Sequence, residues 1–211
     1  MGREPRALLA YAELGELALR SDRQVYVQAR KAEFETRTGT FSVEDPWYEA
    51  RIRAFHDDLL TQGASHASLL ATVEANLAEG CQELGASFRG LFHFQRPRAP
   101  GHWLHVVNLI DHAEYYAVAH DALLLQALDA IEEAVVDARV VASDRVLAIL
   151  PGAFVHPEEA TQAIEDVVRA GVNRGLPAGT LLDRLMQMEH QLRVRSRVRP
   201  NQVYRVNALH S

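Results

Sequence analysis

The pattern of apolar residues changes at Gly85, and no other feature of the sequence constrains the fold more. Before Gly85, apolar residues recur at helical spacing; Tyr48, Ile52, Phe55 and Leu59, for example, are four, three and four residues apart. After it, short runs rich in valine, phenylalanine and tyrosine are separated by turn-forming residues, which is typical of strands. The chain is therefore predicted to form helices first and a sheet second.

Helices are predicted in four segments before this change. They cover about 6–20, 21–38, 45–62 and 65–84. Asp45-Pro46 is a typical helix start, because the aspartate can accept hydrogen bonds from the first turn and proline is tolerated there. Gly39 and Gly63 can adopt the left-handed conformation in which many helices end. Cys81 falls on the apolar stripe of the fourth segment, so we expect its thiol to be buried and unreactive.

Strands are predicted in the next part of the chain. They cover about 88–94, 102–110, 115–119, 135–141 and 146–150. The segments 96–101 and Ser143-Asp144 have the composition of turns. Residues 122–134 fit either a helix or a loop that leads into a strand. Together these segments predict a small antiparallel β-sheet or a partly open barrel.

Helical spacing returns after Pro157, first in a helix with Ile164 and Val167 on its apolar face and then in a stripe from Leu181 to Leu192. The predicted fold class is therefore α+β, with N-terminal helices, a small antiparallel β-sheet or partly open barrel, C-terminal helices and a basic tail. The corresponding regions are 1–85, 86–155 and 156–211, which we expect to form one compact unit.

The composition narrows the class of protein. The 211 residues include 22 Lys and Arg and 28 Asp and Glu, and this net charge of −6 is too acidic for a uniformly basic nucleic-acid coat. No apolar run approaches the ~18 residues of a membrane-spanning helix, so no membrane insertion is expected. Cys81 is the only cysteine and cannot form a disulfide within the chain, while Glu4, Glu13 and Glu16 interrupt any signal-peptide core. These features favour the cytoplasm.

Short motifs follow one another in a characteristic order along most of the chain. They include Thr38-Gly39-Thr40-Phe41, Glu44-Asp45-Pro46-Trp47-Tyr48-Glu49, Val107-Asn108-Leu109-Ile110, Phe154-Val155-His156-Pro157-Glu158-Glu159-Ala160 and Arg197-Val198-Arg199-Pro200-Asn201-Gln202-Val203-Tyr204. In this order they resemble a family of uncharacterised proteins from myxobacteria and related deltaproteobacteria. Asp111-His112 stands where that family usually has a glycine pair after the second strand. The resemblance supports the architecture and implies no activity.

Histidines are concentrated in the predicted sheet, where five of the ten lie between His93 and His120. Imidazole is the commonest metal ligand, so the cluster could bind Zn²⁺ and activate water, although His102 and His105 would point to opposite faces of a strand. The candidate metal ligands are His105, Asp111, His112 and His156. Scattered surface histidines are the alternative interpretation.

His156 has a second interpretation, because it immediately precedes Pro157 at a predicted helix start. Glu158 and Glu159 in the first turn would complement the positive end of the helix dipole. This structural role is favoured, and an acid–base pair of His156 with Glu159 is the alternative.

The C-terminal tail is basic, since no acidic residue follows Glu189. The candidate partner-binding or anion-binding residues of this tail are Arg193, Arg195, Arg197, Arg199 and Tyr204. In an extended conformation the four arginines would line one edge, which suits phosphates or carboxylates. Docking on the chain's own acidic helices, docking of a partner protein and nucleic-acid binding all remain open.

The sequence contains none of the motifs GxxxxGK[ST], GxGxxG, GxSxG and HExxH, which mark common nucleotide-binding and hydrolytic sites. The favoured hypothesis is a non-enzymatic, cytoplasmic binding or regulatory protein without a cofactor. Another protein would dock on one face of the predicted barrel or on the arginine tail. One alternative is a metal-dependent hydrolase that uses the histidine cluster. The other is a nucleic-acid-binding protein that uses the tail.

Overall fold

The computed structural model describes residues 4–71, 73, 77–95, 103–129, 131–195 and 197–210. The helices that precede the barrel in these residues are α1 (Arg6–Ala18), α2 (Gln24–Thr38), α3 (Tyr48–Thr61), α4 (Gly63–Leu70) and α5 (Ala78–Gly85). The predicted helix over 65–84 is therefore replaced by two helices. The predicted turn at 96–101 and His102 lie outside the described residues.

The N-terminal helices pack around one apolar core. Phe55 and Leu59 are each 1% exposed, and Tyr48 and Ile52 pack against the same core, so the predicted apolar face of α3 is confirmed. Cys81 is fully buried in this core, as predicted, whereas its reactivity stays a prediction. The neighbouring Gly80 allows α5 to approach α1 closely, because a Cβ atom at Gly80 would lie 2.5 Å from the carbonyl oxygen of Arg6.

The strands form a closed five-stranded barrel with one additional strand. The five barrel strands are β1 (Phe88–Gln95), β2 (Trp103–Asn108), β3 (Glu114–Ala119), β4 (Glu133–Ser143) and β5 (Val146–Ile149). Their order around the ring is β1-β2-β3-β5-β4, and β4 pairs again with β1 to close it. The short strand β6 (Phe154–Val155) pairs with β4.

One pair in the barrel is parallel, which the sequence-based prediction of an antiparallel sheet did not include. β3 and β5 run in the same direction, and the other four contacts in the ring are antiparallel. A closed ring with an odd number of strands cannot be antiparallel throughout, so closure itself requires such a pair. The ambiguous segment 122–134 contains α6 (Ala122–Asp129), which connects β3 to β4, and the first residues of β4.

The chain ends in helices that cover another part of the barrel. A 3-10 turn over Glu158–Ala160 leads into α7 (Thr161–Asn173), which is followed by α8 (Ala178–Val194), α9 (Pro200–Val203) and a 3-10 turn over Val206–His210. The predicted faces are confirmed, since Ile164, Val167 and Leu181 are fully buried in a second core. Leu91 of β1 and Val135 of β4 complete that core, so these helices and the barrel share it.

The α+β fold class is therefore confirmed, with helices before and after a small barrel that is closed rather than partly open. None of the helices in the described ranges is long and apolar enough to cross a membrane.

Candidate functional site

The helices leave one outer surface of the barrel uncovered. Leu91 and Val135, on β1 and β4, belong to the core of the C-terminal helices, and Val141 and Ala148, on β4 and β5, belong to the core of the N-terminal helices. The outward side chains of β2 and β3 include large residues that belong to neither core. This part of the barrel is therefore the surface available to a ligand or a partner.

Strand alternation puts aromatic side chains on this surface. Leu104 and Val106 of β2 point into the barrel interior, so Trp103 and His105 point outward. Tyr116 of β3 also points outward. Trp103 is 52% exposed and Tyr116 is 66% exposed. We call the outward side chains of Trp103, His105 and Tyr116 the barrel face.

Pairing between the strands fixes the geometry of the barrel face. His105 lies directly opposite Tyr116, and the centroids of the two rings are 4.9 Å apart at an interplanar angle of 35°. The Nε2 atom of His105 lies 3.1 Å from Oε2 of Glu114, which orients the imidazole. Trp103 lies opposite Val118 and therefore diagonally across from Tyr116. The two exposed aromatic residues are neighbours on one rigid surface.

An open groove of about 710 Å³ adjoins Trp103 and Tyr116. Its charged residues are Arg6, Glu83, Asp144 and Arg145, so two positive charges are balanced by two negative ones. Asp144 and Arg145 form the two-residue turn between β4 and β5, and both have positive φ angles, 48° and 68°. Apolar contact and hydrogen bonding, rather than net charge, are the interactions that this groove can offer.

The structure does not bring the predicted metal ligands together. His105 contacts Glu114, the Oδ1 atom of Asp111 accepts a hydrogen bond from the backbone N–H of Ala113, and His112 lies in the turn after β2 with a φ of 61°. His156, the fourth candidate ligand, is buried in another part of the molecule. Within the described ranges, no group of three or more His, Cys, Asp or Glu side chains could hold a metal ion. These residues therefore do not fit a zinc site.

The four arginines of the tail do not share one extended segment, because Arg193 lies on a helix. The helix α8 continues to Val194, and Arg193 on its last turn donates from Nε to Oε1 of Glu189 at 2.7 Å. After this helix the chain folds back, and Tyr204 is only 3% exposed in the C-terminal core. The tail thus docks on its own fold through apolar side chains. The four candidate arginines, Arg193, Arg195, Arg197 and Arg199, are exposed, and their role in binding stays a prediction.

His156 is held in the interior by Tyr204. The hydroxyl of Tyr204 lies 3.0 Å from Nδ1 of His156, which is 1% exposed, while Glu159 is exposed and does not pair with it. Burial lowers the pKa of His156 to about 4 and raises the pKa of Tyr204 well above its usual value. The imidazole is therefore neutral at pH 7 and acts as a structural residue.

We expect His156 to make stability depend on pH. Because its pKa of about 4 lies below the ~6.5 of an unfolded histidine, the unfolded chain binds the proton first as the pH falls. The contribution of His156 is complete above about pH 6.5 and decreases by about 3 kcal/mol towards pH 4. Urea unfolding of wild type and His156→Gln at about pH 7.5 and about pH 4.5 measures it, and the difference in unfolding free energy between the two proteins should narrow by about 2.5 kcal/mol. The exposed His120→Gln is the control, and an unchanged difference for His156→Gln would contradict the prediction.

Trp103 and Tyr116 are the residues that sequence reasoning did not select. The alternation of β2 already places Trp103 and His105 on one face, which is a usable signal. The position of Tyr116 beside them depends on the pairing of β2 with β3, which no local pattern specifies.

The chain matches no protein-family model, and no curated protein or solved structure is significantly similar to it. The resemblance to the myxobacterial and deltaproteobacterial family therefore stays a prediction.

Proposed function

We propose that this chain is a non-enzymatic, cytoplasmic binding protein of the adaptor type, which recognises another protein through the barrel face. The observation that carries the proposal is the exposure of Trp103 and Tyr116 side by side on the barrel surface that the helices leave uncovered.

The chemistry of the two aromatic residues supports a protein partner. Tryptophan and tyrosine are enriched among residues that dominate binding energy, because each buries a large rigid surface and retains one polar atom for a hydrogen bond. Each has only two side-chain torsions to fix, so binding costs little conformational entropy. The balanced charges of the adjoining groove suit the mixed polar and apolar surface of a protein.

Single-stranded nucleic acid is the second candidate ligand for the same surface. The strand order β1-β2-β3-β5-β4, with a helix between β3 and β4, is that of the OB-fold, whose second and third strands often bind oligonucleotides. Exposed aromatic rings could stack with bases. We rank this candidate second, because such sites also need a basic groove and the groove here carries no excess positive charge.

Photo-crosslinking tests the protein partner. A photoreactive phenylalanine analogue replaces Tyr116 in one variant and Val25, which is 86% exposed on α2, in a matched control. In cells that produce the protein, we expect one discrete protein adduct from position 116 and none from position 25. The adduct should disappear when Trp103→Ser is added. Adducts that are identical from both positions, or that persist with Trp103→Ser, would contradict the proposal.

Fluorescence titration tests nucleic-acid binding separately. The chain has two tryptophans, so Trp47→Phe leaves Trp103 as the only one. We expect no change in its emission when an oligothymidine of about 15 nucleotides is added at ~150 mM salt. Saturable quenching that weakens with added salt would favour the nucleic-acid candidate instead.

A further inference from the structure

A second groove, separate from the barrel face, lies where α2, α3 and α8 meet β1 and β4. Its volume is about 530 Å³, within the range of small-molecule sites. Four arginines line it, Arg30, Arg37, Arg89 and Arg139, and we call it the arginine groove. Two carboxylates, Asp58 and Asp183, line it as well.

The carboxylates near the groove are already bound by two of its arginines. Arg89 donates from Nε and Nη2 to the two carboxylate oxygens of Asp137, at 2.8 and 2.6 Å, and from Nη1 to Asp183 at 2.7 Å. Arg37 donates to Asp183 at 2.6 Å and to Asp58 at 2.8 Å. These five bonds pair the three aspartates with Arg89 and Arg37.

Arg139 is different, although it lies directly opposite Arg89 across the β1–β4 pair. It is 5% exposed, and its Nε is buried without a hydrogen-bond partner among the described residues, although the carboxylates of Asp57, Asp58 and Asp137 attract its charge. The nearby Asp57 accepts hydrogen bonds instead from the hydroxyl of Tyr11 at 2.7 Å and from the backbone N–H of Gly152 at 3.0 Å. A buried Nε donor without an acceptor, on an arginine opposite a second arginine, favours an additional anion beside it.

Two further donors at the groove lack partners. Among the described residues, Nε of Arg139, Nε of Arg30 and Oγ of Ser87 are each buried with no hydrogen-bond partner, and all three residues line the arginine groove. Native structures leave few buried polar groups unpaired, so a cluster of three indicates a missing acceptor. A smaller cavity that Arg139 also lines has a volume of only about 20 Å³, room for about one water molecule, so the groove is the larger space.

We propose that the arginine groove binds a small ligand through an oxyanion, a phosphate or a carboxylate, that contacts Arg139 and Ser87. Guanidinium groups bind both anions through paired N–H donors, and Ser87 offers a hydroxyl donor. Phe88, which is 38% exposed at the same groove, provides a surface for an apolar part of the ligand. This site is independent of the barrel face and of the partner proposed for it.

Thermal unfolding of the full chain in the presence of simple anions tests the proposal. Inorganic phosphate and sodium acetate are titrated separately at constant pH and ionic strength, with chloride as the reference salt. We expect at least one of them to raise the melting temperature saturably, by about 3–6 °C at ten times its dissociation constant. A rise with phosphate alone would identify a phosphate site, and a rise with acetate alone would identify a carboxylate site. A rise with both anions would identify a general oxyanion site.

Variants separate binding from general salt effects on stability. Arg139→Met should abolish the saturable rise in melting temperature. Ser87→Ala should fold normally and weaken the response. Arg169→Met, at an exposed pair with Asp166, should respond like wild type.

The opposite pattern would overturn the proposal. If neither anion raises the melting temperature of wild type more than that of Arg139→Met, the groove does not bind an oxyanion. If Arg139→Met fails to fold, Ser87→Ala decides instead: a rise in its melting temperature equal to that of wild type would also show that the groove does not bind an oxyanion.

Discussion

Replacing Arg51 with methionine should destabilise the protein by about 3–5 kcal/mol. Arg51 and Glu189 are both fully buried, and Nη2 of Arg51 lies 2.9 Å from Oε2 of Glu189. The same guanidinium donates to the carbonyl oxygens of Met186 and Thr38, so it joins α3 to α8 and to the end of α2. Without it, the carboxylate of Glu189 remains buried, and Arg193 is its remaining ion-pair partner in the described part of the chain.

A double variant shows whether the loss arises from the unpaired carboxylate. Replacing Arg51 and Glu189 together with methionine removes both charges, and apolar replacements of buried ion pairs are often neutral or stabilising. We therefore expect the double variant to regain most of the stability that Arg51→Met loses. Urea unfolding measures the stability of both variants, and the midpoints are comparable if the dependence of the unfolding free energy on urea, the m-value, is the same in each.

An exposed ion pair serves as the control for this buried one. Arg169 pairs with Asp166 at the surface of α7, where the two side chains are 65% and 50% exposed. Such pairs contribute about 0–1 kcal/mol, so Arg169→Met should change stability little. If Arg51→Met cost no more than Arg169→Met, the Arg51–Glu189 pair would not be the buried connection described.

Phe55→Ala should cost about 3–5 kcal/mol by leaving a cavity in the core of the N-terminal helices. Phe55 is 1% exposed, and its ring centroid lies 5.7 Å from that of Phe34 on α2. At this chain length the loss corresponds to a fall in melting temperature of about 6–20 °C, which a thermal scan detects directly.

Val25→Ala is the matched control, because Val25 is 86% exposed on α2 and leaves no cavity when it is shortened. Its effect should stay within about 0.5 kcal/mol. A loss below about 1 kcal/mol for Phe55→Ala would mean that this face of α3 is not a core face.

Local patterns predicted the helices and strands well, because helical spacing and strand alternation are properties of neighbouring residues. The apolar face of α3 illustrates this, and so does Arg51, which lies three residues after Tyr48 and four before Phe55. That spacing puts a charged residue on the apolar face, and the signal was available in the sequence. Its partner Glu189 was not predictable, since it lies 138 residues away.

The two candidate sites were harder to predict for the same reason. The barrel face needs the register that puts Tyr116 opposite His105, and the arginine groove needs the register that puts Arg89 opposite Arg139. Both depend on pairing between strands. The arginines of the tail, by contrast, were prominent in the sequence because they are close together along the chain. An edge formed by all four arginines in an extended conformation is not observed, since α8 includes Arg193 and Arg197 has a φ of 64°.

Closure of the barrel also limits how a partner can bind to it. Each of the five strands in the ring has a hydrogen-bonded neighbour on both sides over at least part of its length, so none of them is an edge strand. The ring therefore disfavours the addition of a peptide as a further strand, a mode in which main-chain hydrogen bonds supply affinity with little regard to sequence. Recognition at the barrel must instead depend on side chains, which makes it sensitive to the partner's sequence and to single substitutions on either protein.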